Sequence, residues 1–234
     1  MLSLRYALVC ALLIFSTSSK ATLIISEYIE GSSYNKALEI FNTGEALDFS
    51  TENYAIDIYV NGATTPRYSI NLAGFIEQQG VYVLAHSSAD SAVTSIADIL
   101  SGSLSFNGDD AIVLVNDGNI VDRIGQIGVD PGSEWGTGLI STQNNTLRRN
   151  SDVIEGSNNS FLLFDPAVQW QGYATDDFTG LGHHALTSVV NAEAGNENVS
   201  VPLPGSSALI LAGMLAMLLS GFMSGRNNSS PLAA

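Results

Sequence analysis

An all-β sandwich is the fold that this chain predicts, on three observations. Short runs rich in Ile, Val, Leu and Tyr recur through its first half and alternate in part with polar residues, as half-buried strands do. Gly, Asn and Asp bound these runs at close intervals. Helical spacing is confined to one short stretch, and six or more strands without long helices favour packed sheets over a parallel sheet sheathed in helices.

The strand candidates, in order, are "TLIISEYIEG" (22–31), "KALEIFNTG" (36–44), "YAIDIYVNG" (54–62), "YSINLAGFI" (68–76), "GVYVLAH" (80–86) and the pair within "DAIVLVNDGNIVDRIGQIG" (110–128). In the last, "AIVLV" and "NIVDRI" flank "NDG", so a hairpin is expected there, the Asp-Gly step tolerating the positive φ that tight reversals demand. The helical stretch is "SADSAVTSIADILS", Ser88–Ser101, with Val93, Ile96, Ala97 and Leu100 on one face. It is expected to link two strands as a short helix. After His184 the pattern stops, and residues 185–200 read as a polar tether.

Both ends read as targeting segments. Arg5, the apolar core Tyr6–Phe15 and the small residues ending at Ala21 make residues 1–21 a secretory signal peptide, cut by signal peptidase after Ala21. Cys10, the one cysteine, would leave with it, which excludes disulfides, thiolate metal sites and cysteine nucleophiles from the mature chain. Near the other end, Ser206–Met223 is 18 residues long without a charge, the length at which an apolar run becomes a transmembrane candidate. Ala208, Ala212, Ala216 and Ser220 fall four apart on one helical face, as small residues at membrane helix contacts do. Arg226 beyond the run would stay cytoplasmic, leaving the large N-terminal part outside.

Val201, Pro202, Leu203 and Pro204, followed by the apolar run and then Arg226, resemble the PEP-CTERM sorting signal of Gram-negative bacteria. That resemblance implies recognition by a membrane-embedded exosortase, which removes the helix and passes the protein to the cell surface or extracellular matrix. Leu203 stands where Glu is usual, and Arg226 stands alone where a basic cluster is expected.

The segment between the targeting signals is long enough for one domain with its own core. Three of the eight basic residues (Arg5, Lys20, Arg226) lie in the terminal segments, so five remain against all 23 acidic ones and the stretch between the two signals carries −18. Nucleic acid is therefore not an expected partner, since its affinity rests on Lys and Arg neutralising phosphates.

Residues 22–62 have the layout of the lamin tail domain. An opening strand carries Ser26-Glu27; a second carries Leu38, Glu39, Ile40, Phe41 and Asn42; a Leu47–Ser50 step precedes the third. Downstream, "FNGDDAIVLVNDGNIVDRIGQIGVDPGSEWGTG", "NNTLRRN" and "GLGHH" are similar to the version found at the front of secreted bacterial nucleases. The resemblance spans 22–184 and implies an immunoglobulin-like β-sandwich. In those nucleases catalysis resides in a separate domain, for which the stretch before Val201 leaves no room.

Few residues suggest chemistry. Asn107-Gly108-Asp109-Asp110 is the best metal candidate, yet it lacks the spaced carboxylates of a calcium loop, and Asp side chains capping backbone N–H groups explain the same letters. No cofactor is expected beyond weak Ca²⁺ at Asp109 and Asp110. Asp130–Glu134 ("DPGSE") reads as a Pro-Gly turn, and Asp176 and Asp177 as turn residues. His183 and His184 point to opposite faces of an extended segment, which separates them as metal ligands. Arg148 and Arg149 are expected to make salt bridges, and Trp135 and Trp170 to fill core volume. Neither a G-x-S-x-G elbow nor a phosphate loop occurs. The sequence thus predicts an exported, non-enzymatic binding or structural module with an unidentified surface or matrix ligand. The alternative is an accessory module of a secreted nuclease or other hydrolase.

Overall fold

The computed structural model describes residues 22–187. The leader with Ala21, the tether beyond residue 187, Val201–Pro204, the apolar run 206–223 and Arg226 lie outside them. Among the described residues no helix is long and apolar enough to cross a membrane.

The strands are β1 (Leu23–Glu30), β2 (Lys36–Asn42), β3 (Leu47–Asp48), β4 (Tyr54–Tyr59), β5 (Tyr68–Asn71), β6 (Phe75–Ile76), β7 (Val81–Ala85), β8 (Ile99–Leu100), β9 (Ala111–Asn116), β10 (Asn119–Ile124), β11 (Gly136–Thr137), β12 (Ile140–Ser141), β13 (Thr146–Arg149) and β14 (Trp170–Tyr173). One helix, α1 (Ser91–Thr94), lies between β7 and β8. The fold is all-β, in the form of a sandwich. One sheet has the order β14-β13-β1-β2-β7-β8 and the other β10-β9-β4-β5, while β11-β12 and β3-β6 form two-stranded ribbons. All pairings are antiparallel except β7 with β8.

Alternation decides which residues form the core. Leu23, Ile25, Leu38, Ile40, Leu84, Leu147 and Trp170 from the larger sheet meet Ile56, Ile58, Ile70, Ile112, Leu114 and Ile124 from the smaller one. The outer face of the larger sheet is also covered, since Ile29, Ala37, Val83 and Ala85 pack against Val93 of α1 and Leu181. That second layer explains why β1 is buried along its whole length.

The β9–β10 hairpin forms as the Asp-Gly step predicts, with Asp117 at φ 49° and Gly118 at φ 76° in a two-residue turn. Two other expectations are corrected. The 88–101 stretch is helical only over Ser91–Thr94, with Asp90 as its N-cap. Asp98 ends any continuation, because its Oδ2 accepts the Val83 N–H and its own N–H donates to Val83 O, drawing Ile99–Leu100 onto the sheet edge as β8. Ile96 and Leu100 are accordingly exposed. The 68–76 run divides at Gly74 (φ 88°) into β5, which stays in the sandwich, and β6, which pairs with β3.

Two β-bulges set the orientation of the charged residues. In β1 the register shifts between Ile25 and Glu27; in β10 it shifts between Ile120 and Asp122. One extra residue inverts the inward-outward alternation beyond it. Glu27 is therefore turned to the outer face of the larger sheet, opposite Glu39, and Asp122 is turned inward, opposite Leu114.

Candidate functional site

The outward bulge of β1 produces a pair of opposed carboxylates. Glu27 and Glu39 face each other across β1 and β2, and they are 1% and 0% exposed. Ser26 at the bulge donates its hydroxyl to Glu39 Oε1 at 2.6 Å, and Gly182 N–H donates to Glu39 Oε2 at 2.6 Å. From β13, Arg148 donates Nε to Glu27 Oε1 at 3.0 Å and Nη2 to Asp177 Oδ1 at 2.8 Å, with its guanidinium 4.0 Å from the Tyr173 ring centre. Burial pushes the Glu27 carboxyl up to about 7, outweighing the opposing pull of Arg148. Glu39 is raised by the same desolvation, against the hydrogen bonds from Ser26 and Gly182. Asp177 is held down to about 2 by hydrogen bonds from Thr179 and by Arg148.

The lid on this pair is the closing "TGLGHH" segment, and its glycines have a steric reason. A Cβ at Gly180 would lie 2.1 Å from Arg148 Nε and 2.7 Å from Glu27 Oε2. Gly182 adopts φ 90°, which turns its N–H onto Glu39. Leu181 between them enters the second apolar layer. Gly180→Ala should therefore lift the segment, costing about 2 kcal/mol through overpacking and exposing residues 177–187 to limited proteolysis. Proteolysis at the wild-type rate would contradict the tight fit.

A second charged centre lies between the sheets. Asp122 Oδ2 accepts from Ile25 N at 2.8 Å and pairs with Arg149 Nη2; its Oδ1 accepts from Arg123 N at 2.8 Å and Ser157 N at 2.7 Å. Arg149 donates Nε to Ile25 O at 2.9 Å and Nη1 to Gln169 Oε1 at 2.8 Å, and stacks 4.0 Å above Trp170. The β1–β13 ladder runs only as far as Glu27 and Arg148, so these two side chains meet the N–H and C=O of Ile25 in place of a strand neighbour.

The other predicted residues are distributed widely. Asp110 Oδ1 accepts from Asn61 N and Oδ2 from Asn107 N, both at 3.0 Å, so its oxygens cap backbone as turn residues do. Asp109 is buried beside it with Oδ1 unpartnered. No group of three or more His, Cys, Asp or Glu side chains able to hold a metal occurs among the described residues. With Asp110 committed, calcium is expected to bind no tighter than the millimolar range. Calorimetry giving micromolar affinity, lost in Asp109→Asn, would contradict this.

Asp130 Oδ1 caps Gly132 N within the Pro-Gly turn, and Asp176 fastens the β1–β2 turn through Ser32 and Asn35. Asn42 does the same at the end of β2, donating to Glu45 O and accepting from Gly44 N. His86 stacks on Tyr34, His183 is exposed, and His184 packs against Phe41 with burial lowering its pKa. The histidine pair is thus divided between solvent and packing. The tether expected from residue 185 begins later, since Thr187 N–H still donates to Ser151 O at 2.8 Å. Trp135 and Phe164 stand edge to face beside an open groove of about 580 Å³, whose Asp165 caps Ala167 N.

Sequence reasoning missed Asp122, Arg123 and the depth of Arg149. One signal was present, a charged pair interrupting the apolar run "NIVDRI".

The Ser-Glu strand, the Leu-Glu-Ile-Phe-Asn strand and the Asp-Gly hairpin all lie within the stretch that a family comparison matches. Residues 16–128 match the Lamin Tail Domain family. That family comprises non-catalytic immunoglobulin-like modules, and the all-β sandwich is consistent with it. The matched stretch holds Glu27, Glu39, Asn42 and Asp122, whereas Arg148, Arg149 and the Gly180–Gly182 lid lie beyond it. No curated protein and no solved structure matches the chain.

Proposed function

We propose that this chain is an exported, non-enzymatic β-sandwich that serves as a binding or structural module at the cell surface or in the extracellular matrix. One observation carries the non-enzymatic reading: the carboxylate pair that most resembles acid–base machinery, Glu27 with Glu39, is sealed beneath Gly180–Gly182, and both Glu39 oxygens and Glu27 Oε1 bond to the protein itself. A general acid or base has to reach the proton that it moves, and these cannot. Asp122 and Arg149 are equally enclosed.

The delivery route is read from the two terminal segments. Residues 1–21 act as the secretory signal, and Val201–Pro204 with the 206–223 run and Arg226 act as a removable sorting signal handled by an exosortase-like enzyme. Pro202 and Pro204, residue types that disfavour regular secondary structure, stand immediately before the apolar run, which supports reading them as a recognition motif. Intact-mass measurement of the native protein, in a host with an active exosortase, tests this. The expected species starts at Thr22, lacks residues from about Gly205 onward and has left the inner membrane. A species retaining Arg226 in the inner membrane would make the segment a permanent anchor.

A further inference from the structure

The surface feature that none of these roles uses is an apolar loop tip. From Gly156 to Phe164 the sequence "GSNNSFLLF" carries no charge, and at its end Phe161, Leu162 and Leu163 are 91%, 58% and 88% exposed. Isolated exposed apolar residues are ordinary, but three in succession on a protruding loop mark a contact surface. Leu163 also borders the Trp135–Phe164 groove.

The loop is held in place. Arg123, itself buried, directs its whole guanidinium to main-chain carbonyls: Nε to Asn159 O at 3.2 Å, Nη2 to Leu162 O at 2.6 Å, and Nη1 to Gly125 O. Asp122 fixes Ser157 N, while Asn159 Oδ1 caps Phe161 N at 3.0 Å. Two charged side chains thus fix a turn that presents apolar groups to water.

We propose that Phe161–Leu163 inserts into the interfacial layer of a lipid bilayer and holds the sandwich against the membrane while the chain is still attached to it. Side chains as exposed as Phe161 and Leu163 stand clear of the surrounding surface, which suits a fluid that closes around them better than a preformed protein pocket. The net charge of −18 between the two terminal signals opposes anionic headgroups, so insertion has to rest on apolar contact, as with interfacial Phe and Leu generally. Distance permits it: residues 188–205 separate the last described residue from the apolar run at Ser206, a span that a fully extended chain could bridge over at most about 68 Å. This last point rests on the reading of 206–223 as a span.

The test uses the full chain, with Cys10→Ser, in vesicles of phosphatidylcholine alone or with phosphatidylglycerol. An environment-sensitive fluorophore is placed through Ser160→Cys beside the tip, or through Asn119→Cys at the hairpin end of β10 as a control. Lipid-borne nitroxides are expected to quench the label at 160 about threefold more than that at 119, without gain from the anionic lipid. Phe161→Ser with Leu163→Ser should abolish the excess. Equal quenching at both positions, or an excess that survives the double substitution, overturns the proposal. A label at 160 that responds only to protein concentration overturns it in favour of contact between copies. Carbonate extraction run in parallel reads the span separately: an extractable chain still quenched at 160 keeps the loop proposal and removes the anchor.

Discussion

Arg149→Ala is expected to destabilise the domain by about 3–5 kcal/mol, the largest effect of any single substitution considered, because it leaves the Asp122 carboxylate buried between the sheets without its cation. The loss has a second source. Arg149 also donates to Ile25 O and stacks on Trp170, so truncation opens a void against an aromatic core residue and leaves a buried carbonyl unmet. Removing both charges, as Asp122→Leu with Arg149→Met, is expected to cost less than the sum of the single losses, since an apolar pair carries no unpaired ion. Recovery should remain incomplete, because the Ile25 N–H and C=O then have no partners. Urea denaturation reads all three variants. A shift under about 1 kcal/mol for Arg149→Ala would mean that the pair is not a fold determinant.

The second large effect is a pH dependence of unusual sign. Glu27 is raised from an ordinary 4.5 to about 7, so the folded state binds the proton more tightly than the unfolded chain does. Its contribution to stability is fully present below pH 4.5 and is lost as pH rises through 7, a change of about 3 kcal/mol. Glu30, Glu39 and Asp110, also raised by burial, act in the same direction. The lowered carboxyls, Asp48, Asp176 and Asp177, act only in more acid solution, below their ordinary 3.8. His184, lowered by burial, opposes the trend below pH 6.5 but is only one group. Stability is therefore expected to peak near pH 4–5 and to decline toward neutrality. Denaturation midpoints across pH 4.5–7.5 measure the slope, and Glu27→Gln should flatten it by stabilising at the upper end alone. A rising slope, or one unchanged in Glu27→Gln, would place the titration elsewhere.

What could be read from the sequence follows the period-2 rule and stops where that rule stops. β1, β2, β4, β7, β9 and β10 lie where alternating apolar runs place them, and the Asp117–Gly118 reversal follows from the chemistry of its two residues. β13 and β14 were invisible as strands because "TLRR" and "WQGY" lack the apolar alternation, although β13 sits centrally beside β1. The bulges at Ser26 and Val121 cannot be seen in a periodic reading, yet they decide that Glu27 faces outward and Asp122 inward. The polar centres consequently escaped prediction even though their residues were quoted. Arg148 and Arg149 are expected to pair with acids, and they do, Arg149 at a buried position and Arg148 at a half-buried one facing a buried carboxylate. The role of "GLGHH" also needed three dimensions, since only the closeness of Gly180 to Arg148 explains its lack of a side chain.

The central claim is that the buried carboxylates of Asp122, Glu39 and Glu30 are bound to the domain's own backbone and hold the fold. Hydrogen exchange of the amides that they accept tests it most directly: Ile25 and Ser157 on Asp122, Gly182 on Glu39, and Asn144 on Glu30. Ser157, Gly182 and Asn144 lie outside every strand and would exchange rapidly if those bonds were incidental. The account predicts protection within about tenfold of the central β2 and β9 amides for all four. Exchange of Gly182 and Ser157 at the rate of an unstructured peptide would contradict it.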